Sequence, residues 1–244
     1  MRKKNVMLCS LLFVLCLCCT LGFTGCGAPN ARDLVVKING VEVHVDDKVQ
    51  DLLDQGLVIC DAYDSVISED EYPTLGAKEL EMESYFIGAE VDGKVKCSNI
   101  AILPYNNSSK EVSLADCQIH TINFHTEKKN VVPLEINGVN PYEATPEEFL
   151  NAFDQSGITL YDDEEQKSKF IAGENYSNLS TYTGKATYKV TSGTYSVDVE
   201  DYLLDEKKRT VDEKAYDAAC EKAKKTIHIT EFSIEKKLDV EVEY

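Results

Sequence analysis

Ile38-Asn39-Gly40-Val41 returns further along the chain as Ile136-Asn137-Gly138-Val139. Asn-Gly between β-branched residues is a two-residue type I′ hairpin signal, because both turn positions need positive φ and these residues tolerate it best. Val35-Val36-Lys37-Ile38 and Val41-Glu42-Val43 therefore read as the arms of the first hairpin. Working outward, Val49, Leu53, Asp54 and Gln55 are answered by Phe149, Phe153, Asp154 and Gln155, and Gly93 by Gly193. Ile119-His120, Phe124 and Glu127-Lys128-Lys129 return as Ile227-His228, Phe232 and Glu235-Lys236-Lys237. The order is kept while the spacing only grows, as insertions into a duplicated unit would produce.

Each copy predicts a short helix after the hairpin. Thr145-Pro146-Glu147-Glu148 is a capping box with proline at the first helical position, and Gly157 stands where a C-terminal cap belongs. In the first copy Asp46 or Asp47 is the expected cap and Gly56 the stop. Val49, Leu52 and Leu53, then Phe149, Ala152 and Phe153, share one helix face, which must cover a sheet. Strands are expected at Leu57–Cys60 and Ile158–Tyr161, over Tyr188–Val190 and Thr194–Val199, and over the alternating end Leu238–Tyr244. Thr210-Val211-Asp212-Glu213 reads as a further capping box, with Val211, Ala215 and Ala219 as the stripe behind it.

The expected fold is thus α+β: two tandem homologous domains, 33–126 and 133–244, each a short helix packed on a mostly antiparallel sheet. They follow an N-terminal signal peptide and are joined by a linker near Thr126–Pro133, and residues 133–244 should fold alone.

The leader is read from Arg2-Lys3-Lys4, an apolar run Val6–Phe23, and Thr24-Gly25-Cys26. Small residues directly before a cysteine resemble the lipobox of bacterial lipoproteins, although Phe23 stands where leucine is usual. That resemblance implies cleavage after residue 25, acylation of Cys26, and a chain anchored to the outer face of a cell membrane. An uncleaved membrane anchor is the competing reading. With its tandem "ING" openings and the "TPEEF" helix, the chain is similar to uncharacterised repeat lipoproteins of Gram-positive bacteria. A fainter, purely architectural likeness is to the beta-lactamase inhibitor protein family.

Beyond residue 25 the chain holds 22 Lys+Arg against 43 Asp+Glu. So negative a surface repels phosphate backbones, and nucleic acid is excluded as the expected partner. Export would permit disulfides, and Cys60, Cys97, Cys117 and Cys220 allow three pairings, but buried free thiols are the favoured state. No CxxC pair exists among these four, no calcium loop or other metal motif is read in the acidic runs, and no cofactor is expected.

Catalytic motifs are likewise missing: there is no GxSxG, HExxH, Walker A or GxGxxG. His120 and His228 read as structural, each held by a backbone carbonyl, and His125 should point away from His120. The acidic runs at 46–47, 68–71 and 162–165 read as solvated faces. Two aperiodic stretches, 62–83 and 163–185, read as long loops, and the second carries Phe170, Tyr176 and Tyr182 among small polar residues, a mix suited to protein contacts. A membrane-anchored binding module, not an enzyme, is the expected function, with membrane lipid and an extracellular protein as its partners. An exported hydrolase is the alternative, and it requires two carboxylates, or His44 and a carboxylate, to meet in a concave pocket.

Overall fold

A computed structural model describes residues 34–125, 132–161, 163–174, 178–182, 186–205 and 207–238. The leader with Cys26, most of the expected linker, Tyr176 and the end of the alternating C-terminal stretch lie outside the described residues. The first half contributes β1 (Val36–Ile38), β2 (Val41–Val43), α1 (Val49–Leu53), β3 (Val58–Cys60), β4 (Thr74–Leu75), β5 (Tyr85–Val91), β6 (Lys94–Tyr105), β7 (Val112–Ser113) and β8 (Gln118–His125). The second contributes β9 (Leu134–Ile136), α2 (Pro146–Gln155), α3 (Glu164–Ala172), β10 (Asn178–Tyr182), β11 (Ala186–Ser192), β12 (Leu203–Asp205), β13 (Thr210–Val211), α4 (Glu213–Lys224) and β14 (Ile229–Lys236). Among the described residues the fold is mixed α and β, with four α-helices and antiparallel sheets. None of these helices is long and apolar enough to cross a membrane.

The turns behave as their residues require. Asn39 and Gly40 sit at φ 51° and 82°, and Asn137 and Gly138 at 49° and 78°. The first turn closes a hairpin, Ile38 facing Val41; the second is reduced to one bridge between Ile136 and Val139. The two turns also bind each other's strands. Asn39 N–H donates to Pro133 O and Asn137 N–H to Val35 O, both at 2.8 Å, and β1 pairs with β9 about Lys37 and Glu135.

One seven-stranded sheet carries most of the molecule, in the order β10-β11-β14-β8-β6-β5-β3. Its middle is the β8–β14 pairing, in which Phe124 faces Phe232 with ring centroids 5.9 Å apart. α2 lays Phe149 and Phe153 onto Phe232 at 6.1 and 6.0 Å. Thr145 caps this helix as expected: its Oγ1 accepts from Glu148 N–H while Glu148 accepts from Thr145 N–H. A single apolar core runs from Leu34 to Ile234 and draws on both halves.

Several sequence expectations are corrected. Neither Asp46 nor Asp47 caps α1; Asp47 accepts from His44 N–H at 2.8 Å, and Lys48 N–H at the helix start donates to Asp51. Asp212, two residues later than the expected Thr210, caps α4 through Ala215 N–H, because Thr210 and Val211 are paired with β12. Residues 194–198 form no strand: alternation needs a neighbour to pair with, and β11 ends at Ser192, where its register with β14 shifts. Gly93 turns the β5–β6 hairpin at φ 73°, whereas Gly193 lies past β11 and donates to His228 O, so the two are not counterparts.

The cysteines also depart from expectation. Cys60 and Cys97 form a disulfide with Cα atoms 6.1 Å apart, while Cys117 is a buried free thiol and Cys220 a half-buried one. The bridge links β3 to β6 across β5, and Gly88 of β5 makes room for it: a Cβ there would stand 2.9 Å from Cys60 Sγ and 2.8 Å from Val58 Cγ2. Burial, reinforced by Asp116 and Glu81, pushes the Cys117 thiol up to about 11, which keeps it protonated and unreactive.

Candidate binding cleft

The two edges of the main sheet are finished differently. At one edge, β3 pairs with β5, and the chain then doubles back to cover it: Ile67 N–H donates to Ile59 O at 2.9 Å, Cys60 bridges to Val66, and Asp61 N–H donates to Ser65 O. At the other edge, β10 pairs with β11 and is last in the order. The expected strand Ile158–Tyr161 does not form. Ile158 and Leu160 turn into the core, and Tyr161 is held aside by Lys167, whose Nζ donates to its hydroxyl at 2.7 Å and sits 4.0 Å from its ring. The Tyr161 hydroxyl in turn donates to Asp154 at 3.2 Å.

Between this displaced segment and β10 lies an open cleft of about 670 Å³. Its described walls are Leu160 and Tyr161, the start of α3 with Asp163, Glu164 and Gln166, and Asn178, Leu179 and Ser180 of β10. Asp163 caps α3, accepting from Glu165 N–H at 2.9 Å, while Glu164 is exposed. Leu179 is buried and its neighbours Asn178 and Ser180 are exposed, the alternation of a half-covered strand.

The binding-loop residues expected from sequence separate here. Residues 163–185 are not one loop, since they hold α3 and β10. Phe170 is 0% exposed on the inner face of α3, part of the core, so its ring cannot offer a surface contact. The carbonyl of Phe170 accepts from Ser192 Oγ at 3.0 Å, which ties α3 to the end of β11. Tyr182 ends β10, and Tyr176 lies outside the described residues. Residues 62–83 hold a short 3-10 turn, Glu69–Glu71, and β4, whose Leu75 is buried. Two of the acidic runs are spent locally: Ser68 donates to Glu71, and Asp163 accepts from Glu165 N–H where α3 begins.

A second cleft, of about 530 Å³, is lined by Lys48, Asn106, Glu111, Asp116 and Gln118 among others. Most of its polar groups are engaged within the chain. Lys48 pairs with Asp116 at 3.2 Å, Glu111 accepts from Thr74 at 2.6 Å, and buried Asn106 donates to Leu75 O and Lys110 O. Gln118 Oε1 is the exception, buried with no hydrogen-bond partner among the described residues.

The histidines stand apart from both clefts. His44 Nε2 lies 2.7 Å from Glu42 Oε1, so a histidine and a carboxylate do meet, but neither lines either cleft. His120 is 5% exposed, with Nδ1 at 2.9 Å from Thr121 Oγ1. His228, matched to it in the sequence, is exposed, with Nδ1 3.2 Å from Thr226 O. No cluster of three His, Cys, Asp or Glu side chains suited to a metal occurs among the described residues.

Burial holds the His120 imidazole below its ordinary value, against the opposing pull of Glu235 and the Lys236 backbone. The unfolded chain, titrating near 6.5, therefore binds this proton first. The stability at stake is present in full above about pH 6.5 and is lost as pH falls through the folded value. His120→Gln should remove that slope, so its deficit in urea midpoint against the unaltered chain should shrink between about pH 7.5 and 5.5. An unchanged deficit would contradict the assignment.

Compared with known proteins, the chain matches no family model, no curated protein and no solved structure.

Proposed function

We propose that this chain is an exported, lipid-anchored binding protein, built from two copies of one helix-and-sheet unit, whose contact element is the β10 edge and its cleft. The observation that carries the binding reading is the β10 edge, which lies beside a cleft and pairs with no strand beyond β11 among the described residues, where the opposite edge of the same sheet is covered by residues 65–67. Export is supported by the cationic, apolar leader ending at Cys26 and by the Cys60–Cys97 disulfide, a bond that persists in oxidising compartments. The duplication is supported by the ordered sequence matches and by strand orders that read alike outward from Phe124 and Phe232. The hydrolase alternative lacks a comparable observation. Among the described cleft walls the carboxylates are Asp163 and Glu164, adjacent in sequence, and the first is occupied as a helix cap.

The test uses cells making the full chain with a photo-crosslinking amino acid at Ser180 or at exposed Met82, with and without Cys26→Ala. Palmitate label should depend on Cys26, and an adduct with another envelope protein should form from position 180 and not from 82. Label that survives Cys26→Ala removes the lipid anchor; equal adducts at both positions remove the cleft as the contact element.

A further inference from the structure

Resting on the binding reading above, we infer that the cleft takes an extended, basic polypeptide segment that adds to β10 as the strand this half of the sheet lacks. The argument begins with register. From the centre of the sheet outward, Asn123 faces Ala101, Ala101 faces Phe86, and Phe86 faces Cys60 of β3. On the other side Glu231 faces Thr191 and Thr191 faces Asn178 of β10, and there the row stops. Asn123 and Glu231 each immediately precede the phenylalanine at the junction, so the rows correspond place for place. Among the described residues nothing takes on the other side the place that Cys60 holds on this one, and the cleft beside Asn178, Leu179 and Ser180 opens there.

The chain's own candidate for that place, Ile158–Tyr161, is committed elsewhere. Ile158 and Leu160 are buried, and Tyr161 is fixed through Lys167 and Asp154. Two devices that discourage strand addition are missing from the edge: Asn178-Leu179-Ser180-Thr181-Tyr182 has no charge and no proline.

Charge selects the occupant. Both charged side chains among the described cleft walls are carboxylates, Asp163 and Glu164, in a chain of formal charge −18. A second copy pairing edge to edge would bring this acidic pair against its own image, which disfavours self-association. A segment alternating lysine or arginine with β-branched residues would meet the carboxylates with one face. Its main chain would hydrogen-bond to β10, the mode in which backbone bonds supply affinity and side chains supply choice.

The decisive experiment follows hydrogen exchange across 178–182 in the full chain, in detergent, with three synthetic peptides. One alternates Lys and Val, one alternates Glu and Val, and one is the Lys-Val peptide with methylated backbone nitrogens. The Lys-Val peptide should bind and slow exchange in 178–182, and the other two should not. Glu164→Lys should weaken the Lys-Val peptide about ten-fold and admit the Glu-Val peptide in its stead. Equal binding of the Lys and Glu peptides, or binding that survives backbone methylation, overturns strand addition by a basic segment. If no peptide binds while position 180 still crosslinks to a partner, strand addition falls and the binding-module reading stands.

Discussion

Replacing Phe232 with alanine should lower the free energy of unfolding by about 3–5 kcal/mol, the range for truncating a buried phenylalanine. The upper part of that range is expected because the ring packs against three others: it faces Phe124 across the β8–β14 pairing and is clamped from above by Phe149 and Phe153. Those rings are themselves locked, Phe149 against Phe153 at 5.2 Å and Phe124 against Tyr142 at 5.4 Å, so the site cannot collapse cheaply. Urea unfolding followed by circular dichroism checks this, with Val95→Ala on the exposed β6 surface as a control expected to move stability by no more than about 0.5 kcal/mol. Because the cluster joins both halves, the variant should still unfold in one step. The same junction bears on whether residues 133–244 fold alone: that fragment would keep Phe149 and Phe153 on Phe232 but lose Phe124, β8 beside β14 and β1 beside β9, so it is expected to be far less stable than the whole chain.

Removing the disulfide should cost about 2–4 kcal/mol, since the bridge closes a chain segment of 37 residues and restrains the unfolded state accordingly. Cys60→Ala with Cys97→Ala is the direct variant, measured by urea unfolding without reductant. Gly88→Ala should be destabilising by about 1–3 kcal/mol in the disulfide-bonded chain, because its new methyl group meets the Cys60 sulfur and Val58. In the chain lacking both cysteines the sulfur contact is gone while Val58 Cγ2 and Lys96 O remain, so this cost should fall only in part and the two changes should be partly non-additive. Fully additive costs would mean that Val58 and Lys96, not the bridge, set the need for glycine at 88.

What could be read from the sequence was mostly local. The Asn39-Gly40 and Asn137-Gly138 turns, the Thr145 cap with Pro146, and the apolar faces of α1 and α2 all depend on residues within a few positions of one another. Strand pairing does not. Alternation shows which face of a segment is wet, but it names no neighbour, and so Ile158–Tyr161 and Thr194–Val199 read as strands that the sheet never takes up. The cleft exists because of the first of these failures, and nothing in the sequence of 158–161 announces it. Helix α3 was within reach: Asp163 ahead of it, Gly173 at φ 63° behind it, and Phe170 with Ile171 between are ordinary boundary and core signals, masked by a polar composition. The Cys60–Cys97 pairing required the β3-β5-β6 register, which only the folded sheet supplies.

The most direct test of the open edge is native-state hydrogen exchange on the full chain without any added partner. The account predicts that amides in 178–182 facing away from β11 exchange like those of an unpaired strand, while those of 58–60, covered by β5 and by residues 65–67, are protected. Equal protection at the two edges would mean that the chain already covers β10 itself, and the binding role assigned to it would have no surface on which to act.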